Sequence, residues 1–347
     1  MRLKSLLYSL PLAACAILPL SCVQLHAQTG PYAVIDKWTI GGEGGWDYLV
    51  ADPDAHLLYL THGTRVEVID TTTGKSVGAI TGMKAPAHGV ALDTDGKYGY
   101  ISEGGGNNVV VFDRKSFAKV QSISVGTNPD GIVFEPVTKT VWTFNGRSSD
   151  ATVIDTAALK VIGTVKLSGK PEFPQADGKG TVFVNIETKN SIARIDAKTM
   201  TVTAEWPLAG CDSPSGLAMD TAGRKLFSVC DGRVMPVTDA NSGKVLKLVP
   251  IGDGPDAAGY DAKRHLAFSS NGDGTLTIVD TSTPAYKVVQ TLTTQKSART
   301  MAFDSGTGRV YLVTAEMGPK PAATPENPRP RASIVPGSFT VLVVGRK

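Results

Sequence analysis

The chain has 347 residues, 41% of them hydrophobic and 37 of them glycine, too many for one ordinary sandwich and suited to one large all-β array. Its 35 basic and 32 acidic residues leave a formal charge of +3, which gives no electrostatic reason to expect nucleic acid or an anionic membrane as partner. Its cysteines and histidines form no Cys-x-x-Cys-His haem attachment sequence and no zinc-finger spacing, and no glycine-rich phosphate loop opens a helix, so those functions drop out.

Arg2 and Lys4 make a short basic start, residues 6–20 are apolar, and Leu25-His26-Ala27 offers a small residue to signal peptidase. Residues 1–27 are therefore expected to be a signal peptide, with the mature chain beginning near Gln28. Pro11 and Pro19 interrupt the apolar run, which argues for a removed signal over a permanent span, so no transmembrane segment is expected after processing. Leu12-Ala13-Ala14-Cys15 also has the form of a lipobox, which would instead put a lipid on Cys15. Cleavage near Ala27 removes two of the 35 basic residues and none of the 32 acidic ones, leaving +1. Either route exports the chain, to the periplasm or beyond the cell. There Cys211 and Cys230 are expected to form a disulfide.

Residues 28–347 carry a repeat of about 42 residues. Asp70, Asp113, Asp155, Asp196, Asp239 and Asp280 each end a β-rich run, at spacings of 43, 42, 41, 43 and 41. Each unit holds four short strand-like runs, as in residues 89–93, 98–102, 108–112 and 120–125. The repeating aspartates are read as turn formers, since an Asp side chain bonds its own following backbone and a nearby Gly supplies positive φ. Four strands at this period predict an all-β propeller of seven blades around a central channel. Residues 299–344 supply only three strands, while residues 33–40 resemble a fourth, so the N-terminal strand is expected to close the last blade.

Tyr-Ile-Ser-Glu (residues 100–103), Asn-Asn-Val-Val-Val-Phe-Asp (107–113) and Gly-Thr-Asn-Pro-Asp-Gly-Ile (126–132) resemble the YVTN-repeat β-propeller family of YncE-like exported bacterial proteins. The resemblance covers residues 31–347 and implies the propeller fold and export. It carries no assigned activity. DNA binding, attributed to YncE, finds no support in the near-neutral charge of this chain.

In a propeller the loop entering strand one and the loop leaving strand two open on one face. Counting back five from the residue that ends each strand one gives Asp47, His88, Asp130, Glu172, Ser215, Asp256 and Arg299, all polar. Counting forward fifteen gives a second ring, His62, Glu103, Asn145, Glu187, Cys230, Asn271 and Thr314, with Ile186 as the alternative to Glu187 because blade four is one residue shorter. Antiparallel pairing then predicts Asp47 facing His62, His88 facing Glu103, Asp130 facing Asn145, and Asp256 facing Asn271. Clustered carboxylates repel unless a positive group sits among them or some take up protons, and Arg299 is one built-in cation. A wet channel needs no ligand to account for polar side chains, so two accounts of this ring stand side by side.

If a divalent cation binds, the candidate ligands are His62, His88, Asp130 and Asp256. Carboxylates with Asn carbonyls favour calcium or magnesium, whereas His62 and His88 with Asp47 and Glu103 favour zinc or another transition metal. The segment 315–338 in the last blade carries Pro319, Pro321, Pro325, Pro328, Pro330 and Pro336 with Arg329 and Arg331, a stiff insertion that is either a lid over the channel or a solvated arm. The hairpin arithmetic sets Ser215 opposite Cys230, so the loop carrying Cys211 has to fold back for the disulfide to form. Trp46 adjoins the ring and would stack on a ligand, while Trp142 and Trp206 are read as packing between blades.

The function read first from these features is an exported monomeric binding or scaffold protein, with a small-molecule, metal or protein-partner site at the channel mouth. The alternative is a metal-dependent lactonase-type hydrolase at the same mouth, by fold-level analogy with propeller gluconolactonases, its ion held among Glu103 or Glu172, Asn145, Asn271, Asp130 and Asp256. A quinone- or haem-dependent oxidoreductase lacks a specific ligand pattern in this chain.

Overall fold

A computed structural model describes residues 30–324, 330 and 332–347. The signal-peptide and lipobox segments, Pro325, Pro328, Arg329 and Arg331 lie outside the described residues. Seven four-stranded antiparallel sheets stand in a ring, and the first strands of neighbouring blades touch one another all the way round. Blade 1 begins at Trp46 and the others follow in chain order. Blade 7 takes its first three strands from Thr300–Asp304, Arg309–Thr314 and Thr340–Arg346, and its fourth from Tyr32–Thr39. The closure by the N-terminal strand is therefore as the repeat count implied.

Packing explains the strand composition. The second and third strands of each blade are sandwiched by neighbouring blades on both faces, so they read as near-continuous apolar runs such as Val109-Val110-Val111-Phe112, all buried. The outermost strands face solvent on one side and alternate accordingly, as in Lys119–Ser124. There is no single central core. Seven apolar clusters fill the wedges between adjacent blades, for example Tyr59, Val68, Val90 and Ile101 between blades 1 and 2.

The repeating aspartates hold the turns between strands three and four. Asp70 Oδ1 accepts from the backbone N–H of Thr72 and Thr73 at 2.7 and 2.9 Å, and Asp113, Asp155, Asp239 and Asp280 repeat the pattern. These bonds favour the carboxylate and draw the pKa of Asp239 down to about 2. On the face away from the mouth, arginines tie blades together: Arg114 reaches Asp52 and Asp93, and Arg224 Nη1 lies 2.7 Å from Asp177 Oδ2.

The closing strand is anchored by burial and by hydrogen bonds. Trp38 lies against Tyr311 with ring centroids 5.4 Å apart, and the side chain of Gln290 in blade 6 brackets the backbone of Tyr32, accepting from its N–H at 3.1 Å and donating to its carbonyl at 2.8 Å. Because ring closure depends on this strand, Trp38→Ala should cost about 3–5 kcal/mol in urea unfolding. Lys37→Ala, on the exposed side of the same strand, should stay within about 0.5 kcal/mol of the parent.

Candidate functional site at the channel mouth

Six of the seven first strands carry a register shift near their start, between Trp46 and Leu49, Ala87 and Val90, Pro129 and Ile132, Pro171 and Pro174, Pro214 and Leu217, and Pro255 and Ala257. Six of the first-ring residues sit inside these bulges, within the strands, while Arg299 lies just before its strand, Thr300–Asp304, which pairs without a shift. A bulge re-aims a side chain, and the six bulged ring residues border the channel mouth together with Arg299. In three blades a glycine follows the ring residue. A Cβ on Gly131 would come within 2.5 Å of the carbonyl oxygen of Glu172, and one on Gly216 within 2.6 Å of that of Asp256. The next blade's ring backbone is thus pressed against each glycine. Side chains from strand two of the preceding blade then hold the ring carbonyls: Ser102 Oγ donates to Asp130 O at 2.5 Å, Asn185 Nδ2 to Ser215 O at 3.0 Å, and Ser270 Oγ to Arg299 O.

All seven first-ring residues line one cavity of about 460 Å³ at the mouth. The second ring is different. The bulge moves the pairing by one residue, so Trp46 faces His62, Ala87 faces Glu103, Pro129 faces Asn145 and Pro255 faces Asn271, and none of the four expected ring-to-ring pairs forms. His62, Glu103, Asn145 and Asn271 are buried inside the blades and engaged there. His62 stacks on Phe339 at 3.9 Å; Glu103 accepts from the backbone N–H of Lys84 and, at 2.7 Å, of Ala85. Asn145 donates to Asp150 and Thr152, and Asn271 to Thr275 and Thr277. Ile186 takes the hairpin position opposite Pro171, which frees Glu187 to open a short 3-10 turn and join the mouth.

The mouth gathers six carboxylates, Asp47, Asp130, Glu172, Glu187, Asp231 and Asp256, against Lys170, Arg299 and His88. Three local pairings compensate part of this charge. Lys170 Nζ lies 2.5 Å from Glu172 and 2.6 Å from Glu187, Arg299 Nε lies 3.2 Å from Asp256, and His88 Nδ1 lies 2.6 Å from Asp47. Asp130 and Asp231 stand outside these pairings, and Oδ1 of Asp130 is buried without a hydrogen-bond partner, 3.8 Å from the same His88 nitrogen.

Protonation follows from this imbalance. Burial, then repulsion from Asp47, pushes the Asp130 carboxyl up to about 6; burial outweighs Arg299 and lifts Asp256 to about 6. Burial and the charge of Asp130 raise Glu172 against the pull of Lys170. Burial opposes a charge on His88, yet the bond to Asp47 and the charges of Asp130 and Glu172 prevail and raise its proton affinity. Asp47, His88 and Asp130 bring their ligating atoms within 4.8 Å of one another, while His62 and Asp256 stand outside that group.

Cys211 and Cys230 are bonded, with Cα atoms 5.5 Å apart. The loop does fold back, and it holds Ser213 at the mouth. The proline-rich insertion is pinned at its base by a bridge between Met317 and Ile334. Met317, Lys320 and Ile334 border a second cavity of about 550 Å³ with Trp46 and Arg299, beside the mouth. Trp46 packs on Phe339 at 5.6 Å, and Trp142 and Trp206 contribute to inter-blade clusters.

Sequence counting misses Lys170, Tyr48 and Asp231. Lys170 had a signal in the alignment: it stands two residues before the ring position, where Asn128, Ser213 and Gly254 precede the same proline.

No family model and no curated protein matches the chain. Among solved structures it is similar to Kuenenia stuttgartiensis hydrazine synthase, with a TM-score of 0.68 at 18% identity over 79% of this chain and 93% of that one. It is also similar to U3-55K, with a TM-score of 0.73 at 10% identity over 91% and 99%. At such identities the likeness is one of fold.

The mouth predicts an inverted pH response. Between the ordinary carboxylate range and about 6, the folded state holds protons on Asp130 and Asp256 that the unfolded chain has released, and above the ordinary histidine range it still holds the proton on His88 that the unfolded chain has lost. The folded state binds more protons throughout, so stability should fall as pH rises from 5 to 8. Chemical denaturation at several pH values should show the fall, and Asp130→Asn should flatten it by roughly 1–3 kcal/mol.

Proposed function

We propose that this protein is an exported binding protein of the YVTN-repeat type, whose channel mouth takes a cation. The observation that carries this reading is the group Asp47, His88 and Asp130, with ligating atoms within 4.8 Å of one another and an Asp130 oxygen that no hydrogen bond satisfies. One histidine nitrogen and two carboxylates suit zinc or a related transition metal better than calcium, which prefers an all-oxygen shell. Binding through Nδ1 would displace the proton that His88 shares with Asp47, so affinity should rise with pH and protons should be released. The remaining space, about 460 Å³ rimmed by Lys170 and Arg299, leaves room for a small polar ligand beside the ion.

The hydrolase reading shares this group and no longer draws on Glu103, Asn145 or Asn271, whose side chains are committed inside the blades. It would need an ion at Asp47–His88–Asp130 to polarise a carbonyl, with Glu172 as the neighbouring base. Export draws support from the disulfide, since such bonds persist in oxidising compartments. N-terminal analysis of the protein from its native host would give Gln28 for signal cleavage or an acylated Cys15 for a lipoprotein.

Calorimetric titration of the purified protein with zinc, nickel, calcium and magnesium in turn tests the binding reading. Zinc should bind once per chain with proton release, and Asp130→Asn or His88→Ala should weaken it by about 10- to 100-fold. Absence of binding by all four ions would sink the proposal, and lactone turnover by the zinc-loaded protein would favour the hydrolase.

A further inference from the structure

Below the acidic mouth the channel changes character. Where blades 2, 3 and 5 have a glycine after the ring residue, blade 1 has Tyr48 and blade 4 has Phe173. Their rings meet at 4.9 Å with planes 64° apart, from strands on opposite sides of the channel. Tyr48 is only 5% exposed and borders both the mouth and a second cavity beneath it. Because it lines both cavities, the Tyr48 ring lies between the acidic mouth and the chamber beneath.

The lower chamber holds about 380 Å³, within the range of small-molecule sites, and is walled by the first strands of blades 1 to 4. Leu49, Val90 and Ile132 present nearly buried surface, while Val50, Val133 and Phe134 remain half-buried, so apolar side chains stay wetted inside a concave space. Thr94 and Pro136 lie past the far ends of their strands, which sets the entrance on the face opposite the mouth. No charged side chain lines this chamber among the described residues.

We propose that the lower chamber is a separate binding site for a small uncharged apolar molecule, entered from the face opposite the acidic mouth and closed off from it by Tyr48 and Phe173. Apolar surface already drawn into a cavity yields favourable free energy when a ligand displaces its water, and the absence of charge excludes ionic ligands that would lose hydration without compensation. The site does not depend on a cation at the mouth.

Toluene serves as the probe. Titration of the metal-free protein, followed by ligand-observed NMR, should show saturable binding of one toluene per chain. Val133→Phe, which adds bulk at the chamber wall, should weaken that binding by about tenfold or more in protein that circular dichroism shows to be folded. Crystals of the unaltered protein soaked in toluene should show it beside Tyr48 and Phe173, a measurement that stands even if the variant fails to fold. No saturable binding up to the solubility of toluene, unchanged affinity in folded Val133→Phe, or toluene located elsewhere would each overturn the proposal.

Discussion

The structure depends on ring closure. A four-stranded blade buries almost nothing by itself: its middle strands are apolar on both faces, and each face is dry only when another blade covers it. Seven wedges must therefore be filled together, and the last is filled only when Tyr32–Thr39 pairs with Thr340–Arg346. Without that pairing, blade 7 would offer an open edge along Thr340–Arg346, and Trp38 and Tyr32 would leave the clusters on its two faces.

Closure also makes the mouth what it is. The ring brings the starts of the seven first strands to a common axis, and six of them carry a bulge that re-aims the ring side chain there. Charges spaced about 42 residues apart in sequence end up in one cavity. The repulsion this creates is met in part by pairing with Lys170 and Arg299 and in part by raised proton affinity, at Asp130 and also at the paired Glu172 and Asp256. The wedges bear that cost, since the serine and asparagine side chains that clamp the ring carbonyls belong to their buried strands.

The fold was legible because its signal repeats. A turn aspartate every 41 to 43 residues has a local cause, its bonds to N–H groups two or three residues on, and that cause recurs in six of the seven blades. The first ring was legible for the same reason, since counting from a fixed strand end lands on one column. The facing pairs were not legible, because a bulge adds a residue to one strand without any mark in composition and slips the register by one. With that slip His62 stacks on Phe339 and Glu103 accepts from the backbone of Lys84 and Ala85, and neither lines the mouth with the first ring.

The column that follows the ring shows how one repeat yields two chemistries. A glycine there admits the neighbouring backbone, whereas an aromatic ring at the same place must go into the channel. Tyr48 and Phe173 are three blades apart in order, far enough round the ring to meet across it, whereas rings on adjacent blades would meet side by side against one wall. The two rings lay apolar surface against the base of the mouth, and charges beside low-polarity surface interact more strongly than in water. Burial is the first cause of the raised proton affinity of Asp130 and Asp256, and Tyr48 is part of the surface that lines the mouth around them.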